Sequence, residues 1–125
     1  MDKVKPDENL SRYILQSNQI RTSDKTVKYT AFMPAPNGKT SVFRTAGLQQ
    51  EGIWKIGEDV AVPRQKKLYG RADLTASRVF DAGLHIEADD VPPRHANLTA
   101  WPDESSKQMA IALELTASAR LHLRN

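Results

Sequence analysis

A chain of 125 residues and 14.0 kDa has room for one hydrophobic core, because halving it would leave two units near the lower limit of independent stability. With 39% hydrophobic and 26% charged residues it is too apolar for a disordered tail and too polar for a membrane protein, and no run approaches the roughly 18 apolar residues of a spanning helix. Its 18 Lys and Arg against 15 Asp and Glu give a formal charge of +3, mild for a dedicated nucleic-acid binder, and the absence of cysteine excludes disulfides, thiol nucleophiles and thiolate metal sites.

The start MDKVKPDENL has no apolar signal-peptide centre, so the expected setting is soluble and cytoplasmic, with no membrane contact. Residues 1–9 are almost wholly polar and read as a flexible N-terminal arm on a single domain over residues 10–125. Leu10, Tyr13, Ile14 and Leu15 open the ordered part, in a segment too short to decide between helix and strand. Val27, Tyr29 and Ala31 alternate with Lys28 and Thr30 ahead of Phe32 and Met33, which predicts a strand. Pro34, Pro36 and the Asn37-Gly38 pair stop it and predict a hairpin connection to a second strand over about residues 40–45.

Gly52 and Gly57 interrupt the apolar series Leu48, Ile53, Trp54, Ile56 and Val60, limiting the prediction there to a short helix over about residues 49–56. Residues 68–77 predict a strand, with Gly70 as the place for a bulge. Beyond the turn at Asp81 to Gly83, apolar and polar residues alternate strictly from Leu84 to Asp89, the clearest half-buried strand in the chain. A short strand from Ala96 to Trp101 is confined between Pro93 and Pro102. From Met109 to Leu123 every odd position is apolar, which alone would be strand alternation. Ala110 and Ala112 blur the other face, however, and a strand of fifteen residues would far exceed the usual five or six. The prediction is a helix over about residues 104–119, buried on most sides and capped by Asp103 or Ser105, with a short strand at 120–124. The resulting class is α+β: a small single domain with a mostly antiparallel sheet, a short central helix and a longer C-terminal helix.

The residues with chemical potential fall in three groups. In the stretch VPPRHANLTAWP, Arg94 and His95 stand at a strand entrance after a proline loop, where His95 can act as general base and Arg94 can bind an oxyanion. The structural alternative pairs Arg94 with Asp89 or Asp90 and gives His95 a loop carbonyl. His85, Glu87 and Asp89 share one face of their strand and with His95 would make a metal set only if the next strand returned beside them; no dedicated ligand spacing is matched, so no metal site is assigned. Arg64, Lys66, Lys67 and Arg71, with Tyr69 among them, form a small basic segment suited to an anion or nucleic acid. Neither a Walker sequence nor a dinucleotide glycine pattern occurs, so no cofactor is implied.

Three functions follow in order. The first is an accessory or protein-partner-binding module, acting through a protein partner or as a homo-oligomer. The second is a small hydrolase or transferase using His95 and Arg94 on an anionic substrate. The third, possible but not favoured, is a weak nucleic-acid or nucleotide binder using residues 64–71.

Overall fold

Six strands make one antiparallel sheet in the computed structural model, which describes residues 3–124. In chain order the elements are β1 (Asn9–Ile14), β2 (Ile20–Arg21), β3 (Thr26–Val27), β4 (Thr40–Arg44), α1 (Gln50–Ala61), β5 (Gly70–Thr75), α2 (Ala76–Asp81), β6 (His85–Ala88), β7 (His95–Thr99), α3 (Ser105–Ser118) and β8 (Arg120–Leu123). The sheet runs β6-β7-β4-β1-β5-β8, while β2 and β3 form a separate ribbon. The architecture is a small α+β domain, and no described helix is long and apolar enough to cross a membrane.

Period-two alternation divides the sheet between two cores. Leu10 and Ile14 of β1, Val42 of β4, Ala72 and Leu74 of β5, and Ala96 and Leu98 of β7 face one side, where they pack with Phe32, Val79 of α2, and Ala112 and Leu115 of α3. Tyr13 and Phe43 face the other side and meet Ile53 and Ala61 of α1 together with Leu68. The candidate site lies on this face of the sheet, beside the second, smaller core.

Helix α1 carries its apolar side at Ile53, Ile56, Gly57, Val60 and Ala61, the spacing of one helical face, and extends five residues past the predicted end at residue 56. Gly57 costs the helix about 1 kcal/mol of propensity, but a Cβ there would stand 2.7 Å from Tyr13 Cδ1 and 2.8 Å from Leu68 Cδ2. The glycine therefore marks contact with the sheet and not a helix end. Gly70 has a similar cause: its missing side chain admits the His122 carbonyl of β8, 2.5 Å from where a Cβ would be, so no bulge need be invoked for it.

Other differences also have local reasons. The strand expected over residues 27–33 shrinks to β3, because Val27 pairs back onto Ile20 and residues 29–31 tighten into a 3-10 turn that sends Ala31 and Phe32 into the core. β4 then pairs with β1 and β7 and makes no hairpin with that segment. The strand expected over residues 68–77 ends at Thr75, and α2 takes over from Ala76, whose amide donates to the Glu8 carbonyl. α3 and β8 fall where predicted, but α3 is not buried on most sides: Ala112 and Leu115 are covered, whereas Met109 and Leu113 point outward, since the sheet lies on one side only. Asn9, assigned from sequence to an arm, opens β1, and Glu8 is clamped by Arg44, with Arg44 Nε and Nη2 each 2.8 Å from a different carboxylate oxygen.

Candidate active site

Strand register lines up a serine, a histidine and an aspartate on the α1 face. Ser41 of β4 stands opposite Asn97 of β7, and Phe43 opposite His95. On the other side of β7, Ala88 opposes Ala96, and one position further the Asp89 amide donates to the His95 carbonyl at 3.2 Å. Residues two apart on a strand face the same way, so Ser41 of β4, His95 of β7 and Asp89, one residue past β6, form a row. His95 Nδ1 is 2.7 Å from Asp89 Oδ1, and His95 Nε2 is 2.7 Å from Ser41 Oγ. Asn97 Nδ2 donates to Asp89 Oδ2 at 3.1 Å, and the Val91 amide donates to Asp89 Oδ1 at 3.2 Å.

The roles along this row follow from the chemistry of the groups. Burial pushes the Asp89 carboxyl upward, but hydrogen bonds from His95, the Val91 amide and Asn97 outweigh it and hold the group below the usual aspartate range. An ionised carboxylate only accepts, so His95 donates Nδ1–H to Asp89; in its neutral form the ring then has a bare Nε2 lone pair to accept the Ser41 hydroxyl. That is the tautomer a general base needs. The ring is 13% exposed and packs edge-on against Phe43, with centroids 5.3 Å apart, which fixes its plane.

Arg94 is held by an unusual backbone. The connection from β6 to β7 carries a cis Val91–Pro92 bond and two non-glycine residues in the left-handed region, Asp90 at φ 56° and Arg94 at φ 73°. Left-handed backbone costs such residues about 1–2 kcal/mol each. Asp90 Oδ1 accepts the Arg94 amide at 2.7 Å, the Arg94 carbonyl accepts the Arg44 amide at 2.8 Å, and Arg94 Nη1 donates to the Arg44 carbonyl at 3.1 Å. Among the described residues Arg94 makes no ion pair with Asp89 or Asp90. The alternative offered by sequence occurs only in part: Arg94 pairs with Asp90 through its backbone amide while its guanidinium turns toward β4, and His95 binds side chains at both ring nitrogens and no loop carbonyl.

A cleft of about 510 Å³ opens above the row, between α1 and the proline loop. Ser41, Phe43 and His95 form its floor, Ile56 and Val60 one wall, and Pro92 and Pro93 the other, with Arg64 and Arg94 among its lining cations. A narrower lobe of about 170 Å³ continues past Ser41 and is lined by Arg12, Arg64 and Lys66. It exists because the β1–β4 ladder ends at the Ser11–Phe43 pair. Beyond that pair the strands part, and Arg12 fills the gap, donating Nη1 to the Ser41 carbonyl at 2.9 Å and Nε to the Ala31 carbonyl at 2.8 Å.

The basic residues predicted over 64–71 are not gathered into one patch. Arg64 and Lys66 reach the narrow lobe, Lys67 lies over the Tyr69 ring at 5.2 Å, and Arg71 faces the opposite end of the sheet. Arg71 is 1% exposed, donates to Asp73 at 3.0 Å and Gln50 at 2.6 Å, and stacks on Trp54 at 4.5 Å. Trp101 is half-buried, with its indole N–H donated to the Leu98 carbonyl. His85 stands opposite Thr99 and Glu87 bonds Lys39, so neither converges on His95; among the described residues no three His, Asp or Glu groups gather into a metal site.

Sequence reasoning selected His95 and Arg94, and considered Asp89 only as a metal ligand or a partner of Arg94. It missed Ser41 and Arg12. Ser41 lies 54 residues before His95, and only the pairing of β4 with β7 brings them together. No family model matches this chain, and no curated protein or solved structure does.

Proposed function

We propose that the chain is a small hydrolase or acyltransferase in which Ser41 is the nucleophile, His95 the general base and Asp89 the group that orients and charges the imidazole. The observation that carries this reading is the continuous Ser41–His95–Asp89 hydrogen-bond chain, 2.7 Å at each link, opening at its serine end into the cleft. A nucleophile bonded to a base, with that base bonded to a carboxylate, is recognised by geometry and roles and not by chain order. It places the enzymatic expectation ahead of the partner-binding one, for which no described surface feature is as specific.

In the proposed reaction Ser41 Oγ bonds to the carbonyl carbon of an ester or thioester while its proton passes to His95 Nε2. The imidazolium formed is stabilised by Asp89, and the negative charge on the carbonyl oxygen is met by Arg94 from the cleft wall. His95 returns the proton to the leaving alcohol or thiol as the acyl bond breaks, leaving acyl-Ser41. Water, or an acceptor alcohol in a transferase, then attacks the acyl carbon and gives its proton to His95, which passes it back to Ser41 Oγ as the enzyme is released.

The test is turnover of a panel of short-chain p-nitrophenyl esters and thioesters by the wild-type protein, with Ser41→Ala and His95→Ala as controls whose circular dichroism matches wild type. The reading expects turnover that both substitutions reduce to the buffer background. Turnover equal in all three proteins, or absent from every substrate, overturns it.

A further inference from the structure

We infer that the narrow lobe beside Ser41 is a subsite for a terminal oxyanion on the substrate, a carboxylate or phosphate, read by Arg12 and Arg64 with Lys66 at the rim. The inference rests on the catalytic reading for the word substrate, but the binding site stands on its own observations.

The first observation is a charge imbalance built by the fold. The lobe brings Arg12, Arg64 and Lys66 together, and no carboxylate lines it. The wider cleft has one lining acid, Asp59, and Lys55 already pairs with it at 2.7 Å. Like charges gathered without a counter-ion repel one another, and a bound anion relieves that repulsion. Arg12 senses this arrangement: burial first, and then the nearby charge of Arg64, lower it to about 10, so it remains a cation at neutral pH but a frustrated one.

The second observation is that Arg12 is fixed and yet has donor capacity to spare. Its Nε and Nη1 are committed to the Ala31 and Ser41 carbonyls, which lock the guanidinium plane. Nη2 has no partner among the described residues, and Arg12 lines the lobe. A pre-oriented planar fork with a spare edge suits a carboxylate or phosphate. Arg64 is held differently: it ends a 3-10 turn containing Pro63, and Gln65 follows at φ 54°, so the chain turns sharply at the place where the second cation is delivered.

The third observation is position. Ser41 lines both spaces, so a molecule whose acyl carbon sits over Ser41 Oγ can run its apolar portion along Phe43 and Val60 and send a charged terminus toward Arg12. Half-esters of short dicarboxylic acids, and esters of short acyl chains that end in a phosphate, carry both features.

The experiment measures binding without chemistry, using Ser41→Ala protein titrated with succinate, inorganic phosphate and neutral succinamide and followed by amide shifts of Arg12, Gln19 and Lys66. We expect saturable shifts with at least one anion, weaker binding at higher salt, none with succinamide, and a tenfold or greater loss of affinity in Ser41→Ala/Arg64→Gln. Comparing succinate with phosphate identifies which oxyanion the lobe accepts. Arg64 is exposed, so Arg64→Gln leaves the fold intact, whereas an Arg12 substitution also removes support from two carbonyls. No saturable shift with either anion, equal affinity after Arg64→Gln, or equal binding of succinamide overturns the inference. Arg64-dependent binding in a protein that hydrolyses nothing leaves the subsite standing and removes the catalytic reading. Hydrolysis of neutral and anionic esters with equal kcat/KM, unchanged by Arg64→Gln, does the reverse.

Discussion

Replacing Gly57 with alanine tests whether α1 is seated on the sheet as closely as the cleft requires. A Cβ at this position would lie 2.7 Å from both Tyr13 Cδ1 and Cε1 and 2.8 Å from Leu68 Cδ2, about 1 Å inside the ordinary carbon–carbon separation of roughly 3.5–4.0 Å. Tyr13 cannot swing clear, because its hydroxyl donates to the Ile53 carbonyl of the same helix and its ring packs against Phe43 with centroids 5.7 Å apart. The helix must rise instead. Overpacking of this kind costs about 1–3 kcal/mol, and straining the tyrosine hydrogen bond adds about 1 kcal/mol. Alanine returns about 1 kcal/mol of helix propensity, leaving a net loss of about 1–3 kcal/mol. With an unfolding entropy of about 2.1 cal/mol/K per residue, each kcal/mol moves Tm by roughly 4 °C in a chain of 125 residues. Differential scanning calorimetry should therefore show Tm lower by about 4–12 °C. An unchanged Tm, or a rise of about 4 °C from propensity alone, would refute the close seating of α1.

Three further outcomes follow. Asp89→Ala removes the acceptor that holds Nδ1–H, so histidine ¹⁵N shifts should report a rise in the Nε2–H tautomer at His95 and turnover should fall about 10³- to 10⁴-fold; an unchanged tautomer would show that Asp89 does not orient the ring. The hydrogen bonds from Arg44, opposed by burial, lower the Glu8 carboxyl, so the stability that wild type holds over Glu8→Gln should be complete above the unfolded value of about 4.3 and should close as pH falls through the depressed folded value. A Tm gap that stays constant down to about pH 2 would contradict that linkage. Arg71→Met leaves Asp73, 12% exposed, without its arginine partner and should cost about 3 kcal/mol by urea denaturation, part of it recovered by adding Asp73→Asn; no recovery in the double variant would mean that the loss comes from the Trp54 stacking and Gln50 hydrogen bond of Arg71 and not from charge.

Local signals in the sequence reached the sheet more readily than the site. Strict alternation from Leu84 to Asp89 gave β6, the bordering prolines gave β7, and composition with a length argument resolved residues 109–123 into α3 and β8. Where a local signal had a tertiary cause, the reading went astray: Gly57 looked like a helix breaker because its contact with Tyr13 lies 44 positions away. The same limit governs the site. His95 and Arg94 stood out as polar residues at a rigid loop, and the polar face of β6 hinted at Asp89. Ser41, one of many serines and threonines, acquires meaning only when β4 pairs with β7. Arg12 emerges later still, since its position depends on where the β1–β4 ladder stops.

The most direct test of a nucleophilic Ser41 is labelling with a fluorophosphonate, in which Ser41 Oγ would bond to phosphorus and fluoride would leave. Intact mass followed by peptide mapping should find one adduct per chain, on Ser41, formed at a rate that falls to background in His95→Ala. No adduct on the folded wild-type protein, or an adduct elsewhere that forms equally fast in His95→Ala, would contradict the account.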